Sequence, residues 1–417
     1  MGGRDRCYNF IMKKIAIIGG GASGMMAAIV AAREGADVTI YEHNNSVGKK
    51  ILASGNGRCN IINTTASVAD YAGKNPDFVT YALQQLPFSA FETFCHSIGL
   101  LLDSKEDGRC YPLSNEAKAV LIAFKSAVSE VGVKIFTEKK VTSITKEKGA
   151  FIVVCDGEKK SYDKVLIATG SEAAPQLGAT GDGYSFAKSF GHTIIPTYPS
   201  LVQLHLNSKH PPKMAGVKTF AEVTLTINTK SITKMQGDIL FASYGISGLA
   251  ILDISQRASD ALMQKQRVRI EINLLPRFDS QSLSDTLKKL FTSVPNHTLE
   301  AVLSTLLPTK TLPYLLEEAR MERDKVISKM SLQEIQKLAR LFQNWQFEVT
   351  DTHGFKHAEV SGGGVSTAQI NNETMESKLV KGLYFSGEIL DIVGRRGGYN
   401  FNFAWASGMI AGREMGR

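Results

Sequence analysis

The sequence is poor in cysteine and contains no long block of basic residues. The cysteines are scattered without a C-x-x-C pair, which argues against a disulfide framework or a metal site and favours a reducing, cytoplasmic location. They are Cys7, Cys59, Cys95, Cys110 and Cys155. Lysine and arginine outnumber the acidic residues by 48 to 40, but the two signs are interleaved. This pattern favours a solvated surface and a small-molecule substrate over nucleic acid.

No apolar run is long enough to indicate a membrane span. The segment Ile15–Ala32 lacks charge over 18 residues, the lower limit for a membrane helix, but four glycines cluster at one point within it. Charged residues follow at once, which favours a protein without membrane attachment. Residues 1–11 are polar and lack the apolar core of a signal peptide, so we interpret them as a disordered extension or a tag.

Glycine is abundant, with 37 residues. Near the start, a predicted strand, Ile15–Ile18, runs into Gly19, Gly21 and Gly24 and then into a predicted helix, Ala22–Glu34. The G-x-G-x-x-G spacing is typical of a dinucleotide site. The first glycine permits a tight turn, the second lets a diphosphate touch the backbone, and the third lets the helix pack against its strand. The phosphates would lie at the N-terminus of the helix.

Two further strands support a nucleotide site. The strand Asp37–Tyr41 delivers Glu42, 23 residues after Gly19, near the offset at which a carboxylate binds a ribose hydroxyl. This carboxylate argues against a phosphate on that ribose. The strand Lys164–Thr169 ends at Gly170, and its small terminal residues would let the backbone pass under a bound nucleotide.

A basic segment without helical or strand period follows at residues 46–63. Its Lys49, Lys50 and Arg58 suit phosphate oxygens or an electron-rich ring, and a surface loop with incidental charges explains them equally well. Glycine is dense again from residue 360 to 402, so we expect both ends of the chain to join in one domain around one ligand. The sequence contains no second fingerprint for a resident NAD(P).

Apolar periodicity predicts the other main elements. The predicted helices are Asp77–Ile98, Asn115–Val131, Gly245–Asp260, several within Ser282–Gln343 that break at Pro295, Pro308 and Pro313, and Tyr399–Glu414. The predicted strands are Lys134–Phe136, Val141–Ile144, Phe151–Cys155, Ala221–Ile227, Ser231–Met235, Arg267–Ile272, Trp345–Val349 and Leu383–Phe385.

Seven separated motifs occur in the order found in one known family. They are Gly19–Gly24, Glu42, Gly48–Asn60, Ser361–Ser366, Met375–Lys378, Gly387–Asp391 and Gly397–Asn400. Together they resemble the BaiN-like flavoproteins, also called the aminoacetone oxidase family, over nearly the whole chain from Met12.

The resemblance implies an α/β fold: a glutathione-reductase-like, Rossmann-type FAD-binding domain with an inserted β-barrel plus helical domain. The expected FAD-binding domain comprises residues 12–192 and 355–417. The inserted substrate domain would be 193–354, with its barrel part at about 193–275 and 344–354 and its helical part at about 276–343.

The resemblance also implies which residues hold the cofactor. By motif match they are Gly19, Gly21, Ser23 and Gly24 at the diphosphate, Glu42 at the adenosine ribose, Val141 at the adenine, Lys50, Gly55, Gly57, Arg58 and Asn60 on the flavin side, Thr169 and Gly170 beneath the cofactor, Gly387, Glu388 and Asp391 at the ribityl and phosphate groups, and Gly397, Gly398, Tyr399 and Asn400 at the pyrimidine edge. Backbone N–H donors in the last loop would stabilise negative charge on the reduced ring.

Two departures from the family pattern limit what is carried over. Many members have Phe-Thr-His where this chain has Phe-Ala-Ser from Phe241, so no role of that histidine applies here. Arg395 and Arg396 replace residues that are often apolar or aromatic. If the pair faces the flavin it would raise the reduction potential and favour an anionic substrate, and if it faces outward it is surface charge.

No catalytic residue follows from the sequence. Cys59 is either a redox thiol near the flavin or a small packed residue, and Tyr244 and Tyr399 are either proton donors or packed rings. The leading hypothesis is an FAD-dependent oxidoreductase that transfers a hydride between FAD and a small organic substrate, with transient NADH or NADPH or with oxygen as electron partner. The alternatives are a flavin-dependent RNA-modifying enzyme and a non-catalytic flavin-binding protein.

Overall fold

The computed structural model describes residues 12–417, and the predicted extension at 1–11 lies outside the described residues. The chain divides into two compact units. One contains the described residues up to Thr197 together with Val360–Arg417, and the other is Tyr198–Glu359. The first boundary falls inside a strand, Ile194–Ser200, between its two prolines, Pro196 and Pro199. The predicted limits of the insertion, 193–354, stay a prediction.

The elements are numbered in chain order. The strands are β1 Lys14–Ile18, β2 Asp37–Tyr41, β3 Ile62–Asn63, β4 Tyr71–Ala72, β5 Leu102–Ser104, β6 Arg109–Pro112, β7 Lys134–Phe136, β8 Val141–Glu147, β9 Ala150–Cys155, β10 Glu158–Tyr162, β11 Lys164–Ile167, β12 Ile194–Ser200, β13 Leu204–Leu206, β14 Lys218–Ile227, β15 Lys230–Ala242, β16 Gly245–Ser247, β17 Val268–Asn273, β18 Trp345–Thr352, β19 Val360–Val365, β20 Leu383–Phe385 and β21 Val393–Gly394. The α-helices are α1 Ala22–Arg33, α2 Lys49–Ala53, α3 Val79–Gln85, α4 Phe88–Ser97, α5 Ala117–Glu130, α6 Asp182–Ser189, α7 Leu249–Met263, α8 Ser280–Ser293, α9 Leu299–Leu303, α10 Leu312–Ala319, α11 Leu332–Gln343 and α12 Tyr399–Gly416.

A parallel sheet of five strands organises the first unit, in the order β20-β11-β1-β2-β7. Four of its strands, β20, β11, β1 and β2, are short, largely buried apolar runs, as is typical of parallel sheets, and the edge strand β7 is partly exposed. The register pairs Ile18 with both Tyr41 and Ile167, so the carboxyl ends of these strands lie level. β2 pairs with one side of β1, and β11 pairs with the other. The carboxyl end of β1 is therefore a topological switch point, the place where open α/β sheets bind ligands.

Proline explains one difference between the predicted and observed helices of this unit. The predicted helix Asp77–Ile98 is two helices, α3 and α4, because Pro87 lies between them and cannot continue the first. A three-stranded antiparallel sheet, β10-β9-β8, connects the parallel strands β7 and β11.

A closed barrel of six strands forms the centre of the second unit, in the order β13-β16-β15-β14-β17-β18. Residues alternate between buried and exposed along β14 and β17, as a half-buried strand demands. Phe241, Trp345 and Phe347 pack ring against ring in its core, with centroids 4.8 to 6.3 Å apart. The predicted strand Ser231–Met235 is longer, since β15 pairs with β14 from Lys230 to Leu240 and with β16 from Leu240 to Ala242.

Two predictions for this unit were wrong in detail. The predicted helix Gly245–Asp260 begins only at Leu249, because Gly245–Ser247 pairs with β15 as β16. The chain is broken near Pro295 and Pro308, but Pro313 lies in the first turn of α10, where its missing N–H has no helical partner to lose.

Within residues 12–417, no helix combines the length and the apolar character that a membrane crossing requires. The same residues contain no group of three or more histidine, cysteine, aspartate or glutamate side chains able to hold a metal ion.

Candidate flavin site at the carboxyl edge of the parallel sheet

The turn after β1 is shaped by two glycines. Gly19 has φ +108°, and a Cβ there would lie 2.4 Å from the carbonyl oxygen of Ala168. A Cβ at Gly24 would lie 2.0 Å from the carbonyl oxygen of Gly19, so α1 presses directly on the turn. Both positions therefore require glycine, and together they place the start of α1 at the carboxyl edge of the sheet.

The N-terminus of α1 is open to a ligand. Gly21 is the N-cap, no side chain caps the helix, and the first turn contains no acidic residue. A Cβ at Gly21 would meet nothing within 4 Å. The first N–H groups of a helix need partners from outside it, and the helix dipole favours an anion there. This arrangement suits a diphosphate.

Glu42 follows β2 at the same edge and is buried. Its carboxylate accepts hydrogen bonds from the N–H of Gly20 at 2.9 Å and from the backbone and side-chain nitrogens of Asn44, each at 2.8 Å. An ionised carboxylate offers about four acceptor positions, so capacity remains for a ribose hydroxyl. The carboxylate is held rigidly at the predicted position.

Glu388 joins four separate segments of the chain. Its carboxylate lies 2.6 Å from the Lys50 ammonium group and accepts hydrogen bonds from the Ser171 hydroxyl at 2.7 Å and the Ser361 N–H at 3.0 Å. The motifs predicted Lys50 and Glu388 but not that they pair with each other. Ser171, which directly follows Gly170, was missed. Ser361 begins the motif Ser361–Ser366, but the sequence assigned it no role.

Asp391 is buried three residues later and is also bonded to the backbone. Its carboxylate accepts a hydrogen bond from the N–H of Lys74 at 2.9 Å. A Cβ at Gly73 would lie 2.3 Å from the Asp391 carbonyl oxygen, so these two backbones touch. Gly73 was missed because nothing in its neighbourhood in the sequence has a recognisable period.

The segment from Gly55 to Asn60 turns sharply. Gly55, Gly57 and Cys59 all have positive φ, between 58° and 82°. Asn60 lies beside this turn, and its side-chain oxygen accepts a hydrogen bond from the Cys110 N–H at 3.2 Å. Arg58 is exposed; its Nε donates to the Gly55 carbonyl oxygen at 3.3 Å, and its guanidinium carbon lies 5.7 Å from the centroid of the Tyr111 ring.

The loop before α12 is held by side chains. The Asn400 amide binds the N–H and the carbonyl oxygen of Gly394, both at 2.8 Å, and Asn63 donates to the Gly397 carbonyl oxygen at 2.9 Å. Gly398 caps α12 with φ +96° and without a side-chain cap, while Tyr399 begins the helix. Like α1, this helix presents free N–H groups at its start.

The two uncapped helices run parallel. Cβ atoms at Gly408 and Gly412 of α12 would lie 2.4 and 2.5 Å from the carbonyl oxygens of Ser23 and Ala27 of α1. From the first contact to the second, the residue number rises by four on both helices, so the two helices run in the same direction. The start of α12 therefore extends roughly eight residues, or about 12 Å, beyond the start of α1. The two helix N-termini, each favourable to negative charge, are thus separated along the pair, which suits an elongated ligand.

The remaining predicted positions lie around this edge. Gly387 has φ +75°, and its N–H donates to the Ser407 hydroxyl at 3.0 Å. Gly170 has φ +74° with open space beside it, and the preceding Thr169 lies against α6. Val141 is buried at the start of β8. The structure thus places all the motif residues in the first unit, and their contacts with a ligand stay a prediction.

Comparison with known proteins decides the family. The sequence profile described as "HI0933-like protein Rossmann domain" matches residues 13–414. The chain belongs to the HI0933-like family. The chain is also 35% identical over 405 residues to the 3-dehydro-bile acid delta(4,6)-reductase of Clostridium scindens, covering 96% of this chain and 98% of the reductase.

A second relative carries a different name. The ribosomal RNA dihydrouridine synthase of Haemophilus influenzae is 32% identical over 405 residues, which cover 96% of this chain and 98% of that protein. Among solved structures, the 3-ketosteroid delta1-dehydrogenase of Sterolibacterium denitrificans gives a TM-score of 0.51 at 11% identity, covering 97% of this chain and 100% of that chain. This likeness concerns the fold alone. The HI0933-like chain is an FAD-dependent oxidoreductase with a Rossmann-type FAD-binding domain, as the motifs predicted.

Orphaned polar atoms of the HI0933-like chain fit a bound flavin nucleotide. The Ser386 hydroxyl and the Asn402 side-chain oxygen are buried and have no hydrogen-bond partner within residues 12–417. Both belong to segments that carry motif residues, and buried polar atoms normally have partners. With the two open helix N-termini, these atoms form a set of donors and acceptors that suits FAD.

The structure favours the packing interpretation of Cys59. The side chain is fully buried, and burial raises the pKa of its thiol to about 12. A thiol that stays protonated at neutral pH is a poor nucleophile. Tyr399 is half-buried, and burial also raises the pKa of its hydroxyl.

The Arg395 side chain of the HI0933-like chain points largely to solvent. It is 54% exposed, and its guanidinium group lies 2.9 Å from the Asp70 carboxylate. Pairing with Asp70 offsets its charge, so the contact favours the surface interpretation for this residue.

Tyr244 lies in the second unit within a group of stacked rings. Its ring centroid is 3.9 Å from that of His353, which lies 4.1 Å from that of His357. His353 Nδ1 is also 2.8 Å from His205 Nε2, a hydrogen bond in which one ring donates. Sequence reasoning missed this group because its members are separated by up to 152 residues, the span from His205 to His357.

Proposed function

We propose that this flavoenzyme reduces a carbon–carbon double bond that is conjugated to a carbonyl group in a small molecule, with NADH or NADPH as the transient electron donor. The supporting observation is that two full-length relatives with different substrates share one bond type. A 3-dehydro bile acid with delta(4,6) unsaturation is a conjugated dienone, and dihydrouridine arises when the C5–C6 bond conjugated to a uracil carbonyl is reduced.

The residues of the site match the needs of hydride chemistry. FAD, when bound, supplies the hydride. The free N–H groups at the start of α12 would stabilise negative charge at the pyrimidine edge, because fixed donors need no reorganisation when that charge develops. The side chains of Asn63 and Asn400 hold this loop in place through the backbone of Gly394 and Gly397.

Lys50 and Glu388 contribute rigidity. Their ion pair ties the segment after β2 to the segment after β20, and the Ser171 and Ser361 donors fix the orientation of the carboxylate. The absence of a second glycine fingerprint fits a nicotinamide that visits and leaves.

The first test is an anaerobic titration of the flavin-loaded protein with NADH and with NADPH, followed by the visible flavin band. We expect bleaching by one or both nucleotides, and recovery of the band when a 3-keto-4-ene steroid is added. The matched control acceptor is the 3-keto-5-ene isomer, whose double bond is isolated from the carbonyl and should not restore the band. If neither nucleotide bleaches the flavin, electrons come from the substrate itself, and the proposal fails in favour of an oxidase.

RNA is a second candidate substrate, favoured by the dihydrouridine synthase relatives and by the net charge of +8. The pre-reduced protein would be offered ribosomal RNA, and dihydrouridine measured by mass spectrometry of the digested nucleosides. Binding to RNA should weaken steeply as salt rises if phosphate contacts drive it. Reoxidation by the steroid without dihydrouridine formation would exclude this candidate, and the reverse result would select it.

A further inference from the structure

A buried tyrosine outside the motif residues has a hydroxyl group without a partner. Tyr184 lies on α6 and is 5% exposed, and its hydroxyl makes no hydrogen bond with any of residues 12–417. Buried tyrosines usually bond their hydroxyl, because burial without a partner forfeits the bonds made with water. Phenylalanine would fill the same space without this cost. The hydroxyl group therefore needs an explanation.

The start of α6 lies against segments that carry motif residues. A Cβ at Gly183, next to Tyr184, would lie 2.1 Å from Thr169 Oγ1 and 2.7 Å from Ile389 Cδ1. Thr169 belongs to the strand end that is expected to pass beneath the cofactor, and Ile389 directly follows Glu388. This close approach places the first turn of α6, which contains Tyr184, beside the candidate flavin site.

The surroundings of Tyr184 keep its hydroxyl protonated. Burial raises its pKa most, and the negative charges of Glu388, Glu172 and Asp391 raise it further. The phenol is therefore protonated at neutral pH and can donate a hydrogen bond.

The neighbouring carboxylates have other partners. Glu172 accepts a hydrogen bond from the Thr197 hydroxyl at 2.8 Å, and Asp391 accepts one from the Lys74 N–H. Glu388 is bonded to the groups described above. The Tyr184 hydroxyl bonds to none of these three carboxylates, so its donor is available to a ligand.

We propose that Tyr184 is a further cofactor-binding residue, whose hydroxyl donates a hydrogen bond to a ribityl hydroxyl oxygen of bound FAD. Three carboxylates nearby disfavour a phosphate as the acceptor, since like charges at short range repel. A neutral ribityl hydroxyl accepts the bond without that repulsion. The inference rests on the proposed function only in placing FAD at this site, and it does not depend on the substrate.

The test is the Tyr184→Phe variant of the full chain, stripped of flavin and titrated with FAD and separately with ADP. We expect the Kd for FAD to rise about 5- to 10-fold, the loss typical of one hydrogen bond, while the Kd for ADP stays unchanged. The thermal midpoint of the flavin-free variant should not fall, because the substitution removes an unpartnered hydroxyl.

Tyr162→Phe is the matched control. The Tyr162 hydroxyl is buried in the same unit but is paired with the Tyr41 hydroxyl at 2.7 Å. Its removal should lower the thermal midpoint of the flavin-free protein and leave the Kd for FAD unchanged.

Two results would overturn the inference: an unchanged Kd for FAD in Tyr184→Phe, or an equal rise in the Kd values of FAD and ADP. Neither measurement contains a substrate or a nicotinamide. Failure of the conjugated-alkene proposal would therefore leave this result intact, and failure here would leave that proposal intact.

Discussion

At the scale of single residues, Gly21 and Gly24 constrain the chain in different ways. A Cβ at Gly24 would collide with the carbonyl oxygen of Gly19, whereas one at Gly21 would point into open space at the start of α1. Gly24 is needed for packing and Gly21 for the ligand, although both belong to one fingerprint.

This difference predicts opposite outcomes for two alanine variants. Gly24→Ala should lower the free energy of unfolding by about 1–3 kcal/mol, because the helix must move off the turn. Gly21→Ala should leave the flavin-free protein as stable as the wild type but raise the Kd for FAD at least about tenfold, since the methyl group occupies the phosphate approach. Urea unfolding and FAD titration check both. Equal stability of Gly24→Ala and the wild type would contradict the packing role.

The ion pair of Lys50 and Glu388 gives a second residue-scale prediction. Lys50→Met leaves a carboxylate that is only 16% exposed without its cation, and should cost about 1–2 kcal/mol of unfolding free energy because Lys50 itself is partly exposed. The double variant Lys50→Met with Glu388→Gln should recover most of this loss. Urea denaturation of the four proteins measures the coupling, and additive losses would show that the two charges do not interact.

The sequence could identify site residues only where they belong to a pattern of neighbouring residues. Gly19, Gly24 and Glu42 follow from spacing, because the strand, turn and helix around them are contiguous. Ser171, Ser361 and Gly73 could not be found in this way. Their contacts join residues up to 318 apart, the separation of Gly73 and Asp391, and no local pattern records such contacts.

At the scale of elements, α1 and α12 depend on small residues. Gly408 and Gly412 face the backbone of α1 with no room for a side chain. Glycine in the middle of a helix normally destabilises it, so its use here indicates that close packing outweighs the loss of propensity.

Gly412→Ala is therefore expected to destabilise the protein, although alanine favours helix. The added Cβ would lie 2.5 Å from the Ala27 carbonyl oxygen, and overpacking of this kind costs about 1–3 kcal/mol. Glu414→Ala on the same helix, which removes an ion pair with the exposed Arg417 and adds no atom to the packed face, should change stability by less than about 1 kcal/mol. Thermal and urea unfolding compare them, and a stabilised Gly412→Ala would refute the packing argument.

Periodicity predicted the elements themselves better than their ends. The strands of the parallel sheet were predicted almost to the residue because they are short apolar runs between turn residues. The prediction of one helix over Asp77–Ile98 did not allow for the break at Pro87. The predicted start of α7 at Gly245 was too early, because Gly245–Ser247 pairs with β15. The sequence could not have predicted β16, because three residues are too few to show a period and form a strand only by pairing with β15.

At the scale of the whole molecule, each unit has its own hydrophobic core. The core of each unit contains one of the two tryptophans of the sequence, Trp405 in the first and Trp345 in the second. Closure of the six-stranded barrel joins β13 to β18 across more than a hundred residues. The pattern of alternating residues predicts strands but not which strand closes on which, so this feature came from the family resemblance and not from periodicity.

The two tryptophans allow the pH dependence of each unit to be measured separately. In the second unit, burial and then the charges of His357 and His205 lower the pKa of His353. The unfolded chain takes up this proton near pH 6.5, whereas the folded chain takes it up only at lower pH. Below about pH 6.5 the unfolded state therefore binds more protons, and stability falls as the pH falls.

The Trp405→Phe background leaves Trp345 as the reporter of the second unit. His192, whose pKa is also lowered by burial, is present in both proteins that are compared, so its contribution cancels. Urea unfolding from pH 8 to 5.5 should show a steeper loss of stability with His353 than with His353→Phe, which keeps a ring against Tyr244. Near pH 8 the His353 imidazole is neutral in both the folded and the unfolded chain, so the two curves should run parallel there. An equal loss in both proteins at pH 5.5 would mean that the stacked histidines are protonated without cost to the fold.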